Sequence, residues 1–197
     1  MHIPLTGRPH GRLLPCVVAV LMLGAVLPAF AEAGGQIFTT DAYTVVITAG
    51  WQMDITTLEG DDDFVDLGYF WSEEETGGLV LEAGLYRYPA LTGVSLTAGD
   101  DSFVSNWANA MIVDFEGSKP QLREFISTDE LVFVVLDIED ELEPYCYAET
   151  LSDGTIYMFH FYAYRMMDDD GDVPDATLTA AEYDVFRQIL FSFRLRR

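Results

Sequence analysis

The sequence predicts an α+β domain: a mostly antiparallel sheet flanked by helices, an α/β/α sandwich. Three observations carry this prediction. Strand-like runs fill most of the chain, with one helix-period segment near its middle and a second just before the last strand-like run. Two strands, Leu131 to Ile138 and Ile156 to Tyr164, are apolar or aromatic at almost every position. Strands covered on both faces read this way, so layers are expected on both sides of the sheet, at least at its centre.

The elements follow in order. Gln36 to Thr48 reads as one or two short strands, and the turn at Gly50 leads into Trp51. A single Trp after a strand, beside a Gly that permits a tight turn, reads as a plug where the chain leaves the core. Asp61 to Trp71 opens as a charged turn and continues as a strand. Gly77 to Pro89 pairs with it through the acidic loop SEEETGG. In that second strand Leu79, Leu81, Ala83 and Leu85 share one face and Glu82 falls on the other.

AGDDSFVSNWANAMIVDFEG changes period: Phe103, Trp107 and Met111, joined by Val104, Ala108 and Phe115, recur at spacings of three, four and seven. Asp100, Asp101 and Ser102 suit the N-terminus of that helix, and Gly117 is placed to close its far end. Four strand-like runs follow: QLREFIST, LVFVVLDI, PYCYAETL and TIYMFHFYAYR. MMDDDGDVPDATLT reads as a loop. Thr179 and Glu182 form a capping-box pair that starts the helix AAEYDVFRQIL, and FSFRLRR ends the chain as a strand. No internal repeat or linker divides the region.

The N-terminus has the order of a secretory signal peptide. Arg8 and Arg12 precede an apolar run centred on Val17 to Leu27, Pro28 breaks it, and Ala29-Phe30-Ala31 supplies the small residues of a cleavage site. The expected organisation is therefore a signal peptide over 1–31 and one domain over 32–197, working outside the cytoplasm after cleavage near Ala31. An uncleaved anchor is the alternative, because Leu13 to Ala31 nearly suffices to span a bilayer. A lipoprotein reading fails at Pro15, which precedes Cys16 where a small residue is needed.

Charge and cysteine narrow the chemistry. The whole chain carries 33 acidic and 10 basic residues, a net charge of −23. Arg8 and Arg12 leave with the signal, so 8 basic residues face 33 acidic ones, a net −25. Such a field repels nucleic acid and anionic lipid and favours cations or basic partners; it also keeps an exported protein soluble. Cys146 is the one cysteine after Ala31, so no internal disulfide is available there. Its aromatic, strand-like setting beside Glu141, Glu143 and Glu149 reads as a buried inert thiol.

Histidine is scarce too. His2 and His10 precede Ala31, leaving His160, whose apolar flanks in MFHFYAY read as a packed strand position. A His-rich zinc site and a Ser-His-Asp triad both lack their residues, and no Gly-x-Ser-x-Gly elbow, Walker loop or dinucleotide fingerprint occurs. On the calcium-loop template, with Gly171 at position six, Asp168 and Asp170 fill positions three and five. Met166 and Thr177 then stand at positions one and twelve, so this is no EF-hand. An irregular calcium site from Asp168, Asp170, Asp172 and Asp175 stays open beside the plainer reading, a solvated loop. Asp61, Asp62 and Asp63 carry less signal. Paired carboxylates for a hydrolase cannot be picked out among so many acids.

VVITAGW at the end of the early strand, the mid-chain helix and the late FRQILFSFRL resemble the PsbP-like superfamily. That superfamily takes in the extrinsic P protein of photosystem II and bacterial DcrB-type periplasmic proteins. Thr48-Ala49 stands where its members commonly carry a proline, whereas ILFSF matches closely. The resemblance implies an antiparallel sheet sandwiched between helices and a non-catalytic binding or assembly role. It maps no catalytic, cofactor-binding or metal-binding residue onto this chain, and fold alone transfers no specific function. The expected partner is a protein or a small ligand outside the cytoplasm, with no nucleic acid and no cofactor. The rivals are a calcium-dependent binding module using the 168–175 loop and an uncharacterised carboxylate hydrolase.

Overall fold

The computed structural model describes residues 35–54, 64–72, 77–139, 144–166 and 175–196. The proposed signal segment lies outside them, as do Asp61 to Asp63 and most of the 168–175 loop. In chain order the elements are β1 (Gln36–Thr39), β2 (Tyr43–Ile47), β3 (Gln52–Asp54), β4 (Phe64–Trp71), β5 (Gly77–Arg87), α1 (Asp101–Asp114), β6 (Pro120–Ser127), β7 (Val132–Ile138), β8 (Tyr145–Ser152), β9 (Thr155–Arg165), α2 (Ala180–Ser192) and β10 (Arg194–Leu195). The α+β expectation holds. The single expected sheet is in fact two: a seven-stranded sheet ordered β3-β4-β5-β9-β8-β7-β6 and a small one ordered β1-β2-β10. Every ladder is antiparallel.

Period-two alternation sorts the large sheet into two faces. Leu79, Leu81, Ala83 and Leu85 of β5 join Phe159, Phe161 and Ala163 of β9 on one side, where α2 and β2 bury them. Here Phe161 stacks on Phe186 of α2 at 4.8 Å, and Tyr43 of β2 stacks on Phe193 at 5.1 Å. The Ser192 hydroxyl ties the layers together: it donates to the Ile189 carbonyl at 2.6 Å and accepts the Val46 N–H at 2.8 Å. The chain is helical through Ser192 and extended only from Arg194, so the final strand starts later than FSFRLRR suggests. The capping box of α2 is complete, with Thr179 and Glu182 each bonding the other's backbone N–H.

The opposite face is covered unevenly. Helix α1 starts at Asp100, whose carboxylate accepts the Phe103 N–H, and buries Val104, Ala108 and Met111 against the sheet. Its partners are Val132, Val134, Leu136 and Ile138 of β7 and Tyr147 and Leu151 of β8. Leu96 joins them, locked by backbone bonds to Leu151 and Val132. The cover reaches β9 only at Ile156 and Met158. Gly117 does not close α1 as expected. Phe115 caps the helix through its N–H, and Lys119, at φ 43°, makes the left-handed turn into β6.

Trp51 follows Gly50, whose φ of +86° only glycine adopts freely, and its indole is 7% exposed and stacked over Phe161. Burying a large apolar side chain is worth about 2 kcal/mol. The ring is therefore held by packing, as a plug. At the far end of β4, Gly78 lies against Ser72 and Tyr164, leaving no room for a side chain where the hairpin closes.

Candidate functional site

Among the described residues, α1 leaves bare the half of the large sheet formed by β4, β5 and β9, with Tyr145 of β8 at its margin. Strand alternation and register decide what it shows. Across β4, β5 and β9, Tyr69 pairs with Glu82 and Glu82 with His160, while Trp71 pairs with Val80 and Val80 with Tyr162. Tyr145 lies opposite Tyr162, and Tyr147 opposite His160. The outcome is a half-exposed layer of tyrosines with one Trp, one His and one Glu, Tyr69 being 40% exposed. The rings contact one another: Tyr69 and Trp71 at 5.5 Å between centroids, Tyr145 and His160 at 5.2 Å.

Glu82 sits within the aromatic layer, and the register places the exposed Asp54 of β3 at its edge, opposite Tyr69. Glu82 Oε1 accepts the Tyr162 hydroxyl at 3.0 Å, and its Oε2 stands 3.7 Å from His160 Nδ1. The latter separation exceeds a hydrogen bond but keeps the imidazole beside the carboxylate. The two side chains are 43% and 40% exposed. The facing His160 imidazole holds the Glu82 carboxyl below its ordinary range; partial burial opposes this and the Tyr162 hydroxyl adds to it. Burial, with Tyr69 and Glu82 beside it, pushes the Tyr162 hydroxyl up, so it stays a donor. His160 is therefore no packed core residue. Its neighbours Phe159 and Phe161 point into the core, and alternation turns the imidazole out.

The described Lys and Arg residues gather elsewhere. Arg165 pairs with Glu182 of α2 at 2.7 Å, and Arg123 lies 3.5 Å over the Tyr183 ring of α2. Arg187 belongs to α2 itself, and Arg194 and Arg196 to the C-terminal stretch that pairs with β2. Arg87 shares the α2 side of β5 with Leu85 by alternation, and Lys119 sits near Glu139 at the β6 end. Among the described residues, the bare aromatic half thus carries carboxylates, Glu82 and at its edge Asp54, and no arginine or lysine.

Under α1, at the border of the bare half, lies a second carboxylate. Glu149 is 9% exposed; Trp107 Nε1–H and the Tyr147 hydroxyl donate to its two oxygens, each at 2.7 Å. Desolvation dominates these bonds and, with the charge of Asp114, pushes the carboxyl up to about 7. Glu149 was read from sequence as an acidic neighbour of Cys146, yet it lies on the opposite face of β8. The group facing Cys146 is Asp137, which accepts from the thiol at 3.1 Å, with Arg123 Nη1 3.8 Å from the sulfur. Burial pushes the thiol well up, so the buried, inert reading holds despite the nearby guanidinium.

Of the acidic loop, Asp168, Asp170 and Asp172 lie outside the described residues. Asp175 is exposed and accepts the Thr177 N–H at 2.8 Å, a turn ahead of α2 that lowers its carboxyl below the ordinary range. Among the described residues no three His, Cys, Asp or Glu side chains gather as a metal site requires, and no helix is long and apolar enough to cross a membrane.

No family model matches the chain, and no curated protein does. Among solved structures the chain is similar to cyanobacterial PsbP (CyanoP) from Synechocystis sp. PCC 6803. The identity is 12%, over 91% of this chain and 99% of that one, with a TM-score of 0.46. A likeness at that level settles neither family nor function, and the α+β architecture rests on the sheets and helices themselves.

Proposed function

We propose that this chain is an exported, non-enzymatic binding or assembly protein, and that its bare aromatic half-sheet is the surface that meets the partner. The observation that carries this reading is the half-exposed set of Tyr69, Trp71, Tyr145 and Tyr162 on rigid strands. Tyrosine and tryptophan supply large contact area at low entropic cost, and contiguous exposed aromatic surface marks interaction sites. A hydrolase would need a second carboxylate facing Glu82. Glu149 is enclosed beneath α1, and Asp54 stands two strands from Glu82 with Tyr69 between them. Export follows from the order of charged, apolar and small residues before Glu32.

Capture from the native envelope tests the reading. Wild-type protein and a Tyr69→Ser/Trp71→Ser variant are immobilised side by side, with melting temperatures measured for both. Envelope components retained by the wild type and lost by the variant are expected. Identical retention by two equally folded baits would overturn the assignment of this surface.

A further inference from the structure

Charge and aromatic character coincide on the bare half-sheet in a way that specifies a partner. We propose that it docks a cationic segment of a partner protein, one presenting arginine or lysine side chains to the tyrosine faces and to Glu82. This rests on reading the half-sheet as the binding surface and adds the chemistry of its occupant.

Three features converge. Tyrosine and tryptophan faces attract guanidinium and ammonium groups through the ring quadrupole, most strongly where water is partly excluded. Glu82 stands among those rings with one oxygen taking the Tyr162 hydroxyl, and the other 3.7 Å from an imidazole. A carboxylate so placed keeps open lone pairs for an incoming donor. Finally, the described arginines and the lysine lie on the α2 side or at the β6 end, so none answers Glu82 or shields the rings. The chain's net charge of −23 draws a basic segment toward the molecule from a distance. Among the described residues, no arginine or lysine on this face stands ready to pair with an acidic segment.

Peptide titration of the purified protein tests this, with an alternating Arg-Ala octapeptide and its Glu-Ala counterpart as probes. Heat is read by calorimetry and the Trp71 indole signal by NMR. The arginine peptide is expected to bind and to move the Trp71 resonance, and the glutamate peptide to do neither. Glu82→Gln should weaken binding about tenfold, as loss of a charge partner at an aromatic site does. Asp41→Asn, which removes the same charge from the exposed β1–β2 turn, should change it less than twofold. Equal weakening by both substitutions would mean diffuse charge attraction and would overturn the proposal. So would an unmoved Trp71 signal, or equal binding of the two peptides. Should the arginine peptide fail while capture from the envelope still depends on Tyr69 and Trp71, the surface stands and only its cationic occupant falls.

Discussion

Glu82 and Glu149 lie on the same face of one sheet, on the two strands that flank β9, and each accepts a tyrosine hydroxyl. Their acidities nevertheless move in opposite directions. Glu149 has the better partners, two donors at 2.7 Å, and its carboxyl is still raised to about 7. Glu82 has one hydroxyl and a more distant imidazole, and its carboxyl is lowered. Cover decides between them. Where α1 lies over the strands, losing water outweighs two good hydrogen bonds; where the strands are bare, solvent keeps the charge and neighbours need only nudge it. One row across the sheet traces the change: Glu82, His160, Tyr147 and Leu136 are register partners, running from solvent into the core under α1.

The largest test of this division substitutes one tyrosine in each half. Tyr147 is 4% exposed, packs its ring 4.9 Å from Phe115, and donates to Glu149. Tyr147→Ala should cost about 3–5 kcal/mol, as other large aromatic truncations in cores do. Tyr69→Ala, on the bare half, should cost about 0.5 kcal/mol. Urea denaturation of both variants measures the difference, and losses equal within error would mean that the bare half is not bare.

Glu149→Gln comes next. The carboxyl's folded value, about 7, lies above its ordinary 4.5, so the folded state holds the proton longer than the unfolded one. The stability tied to this proton is complete below about pH 4.5 and is lost as pH rises through about 7. At pH 8 the buried ion then costs the wild type about 3 kcal/mol relative to a neutral side chain. Glutamine is neutral throughout, offers its carbonyl to the Trp107 N–H, and can donate to the Tyr147 oxygen. The variant should match the wild type near pH 4.5 and exceed it increasingly up to pH 8. A stability difference that does not change between those limits would show that Glu149 titrates normally.

Much of this arrangement is legible in the sequence, and what is not has a common cause. The α1 stripe, the Thr179–Glu182 box, the β4–β5 hairpin and the inward set Leu79, Leu81, Ala83 and Leu85 are local patterns, and each holds. His160 misleads because its flanks are apolar; reading TIYMFHFYAYR at period two would have separated Phe159 and Phe161 from His160, Tyr162 and Tyr164. The same alternation separates Cys146 from Glu149. No local pattern could bring Trp107 to Glu149 across 42 residues, or reveal that one helix covers only part of a sheet whose strands read as apolar on both faces. The two sheets were likewise hidden, since which strands pair is a long-range choice.

Glu82→Gln should give the smallest effect, with the opposite sign to Glu149. Its carboxyl lies below the ordinary value in the folded state, so its contribution is present above the unfolded value and is lost as pH falls through the folded one. The side chain is 43% exposed, and solvent screens its pairing with His160, as it does for other exposed ion pairs. The substitution should therefore cost less than about 1 kcal/mol at pH 6, and progressively less as pH falls below the ordinary carboxylate value. Parallel pH series for the two glutamine variants decide the point: their stability differences from wild type should diverge in opposite directions with rising pH. If the curves run the same way, cover by α1 does not control the acidity of this face. The bare half would then lose the ionised carboxylate on which a cationic partner depends.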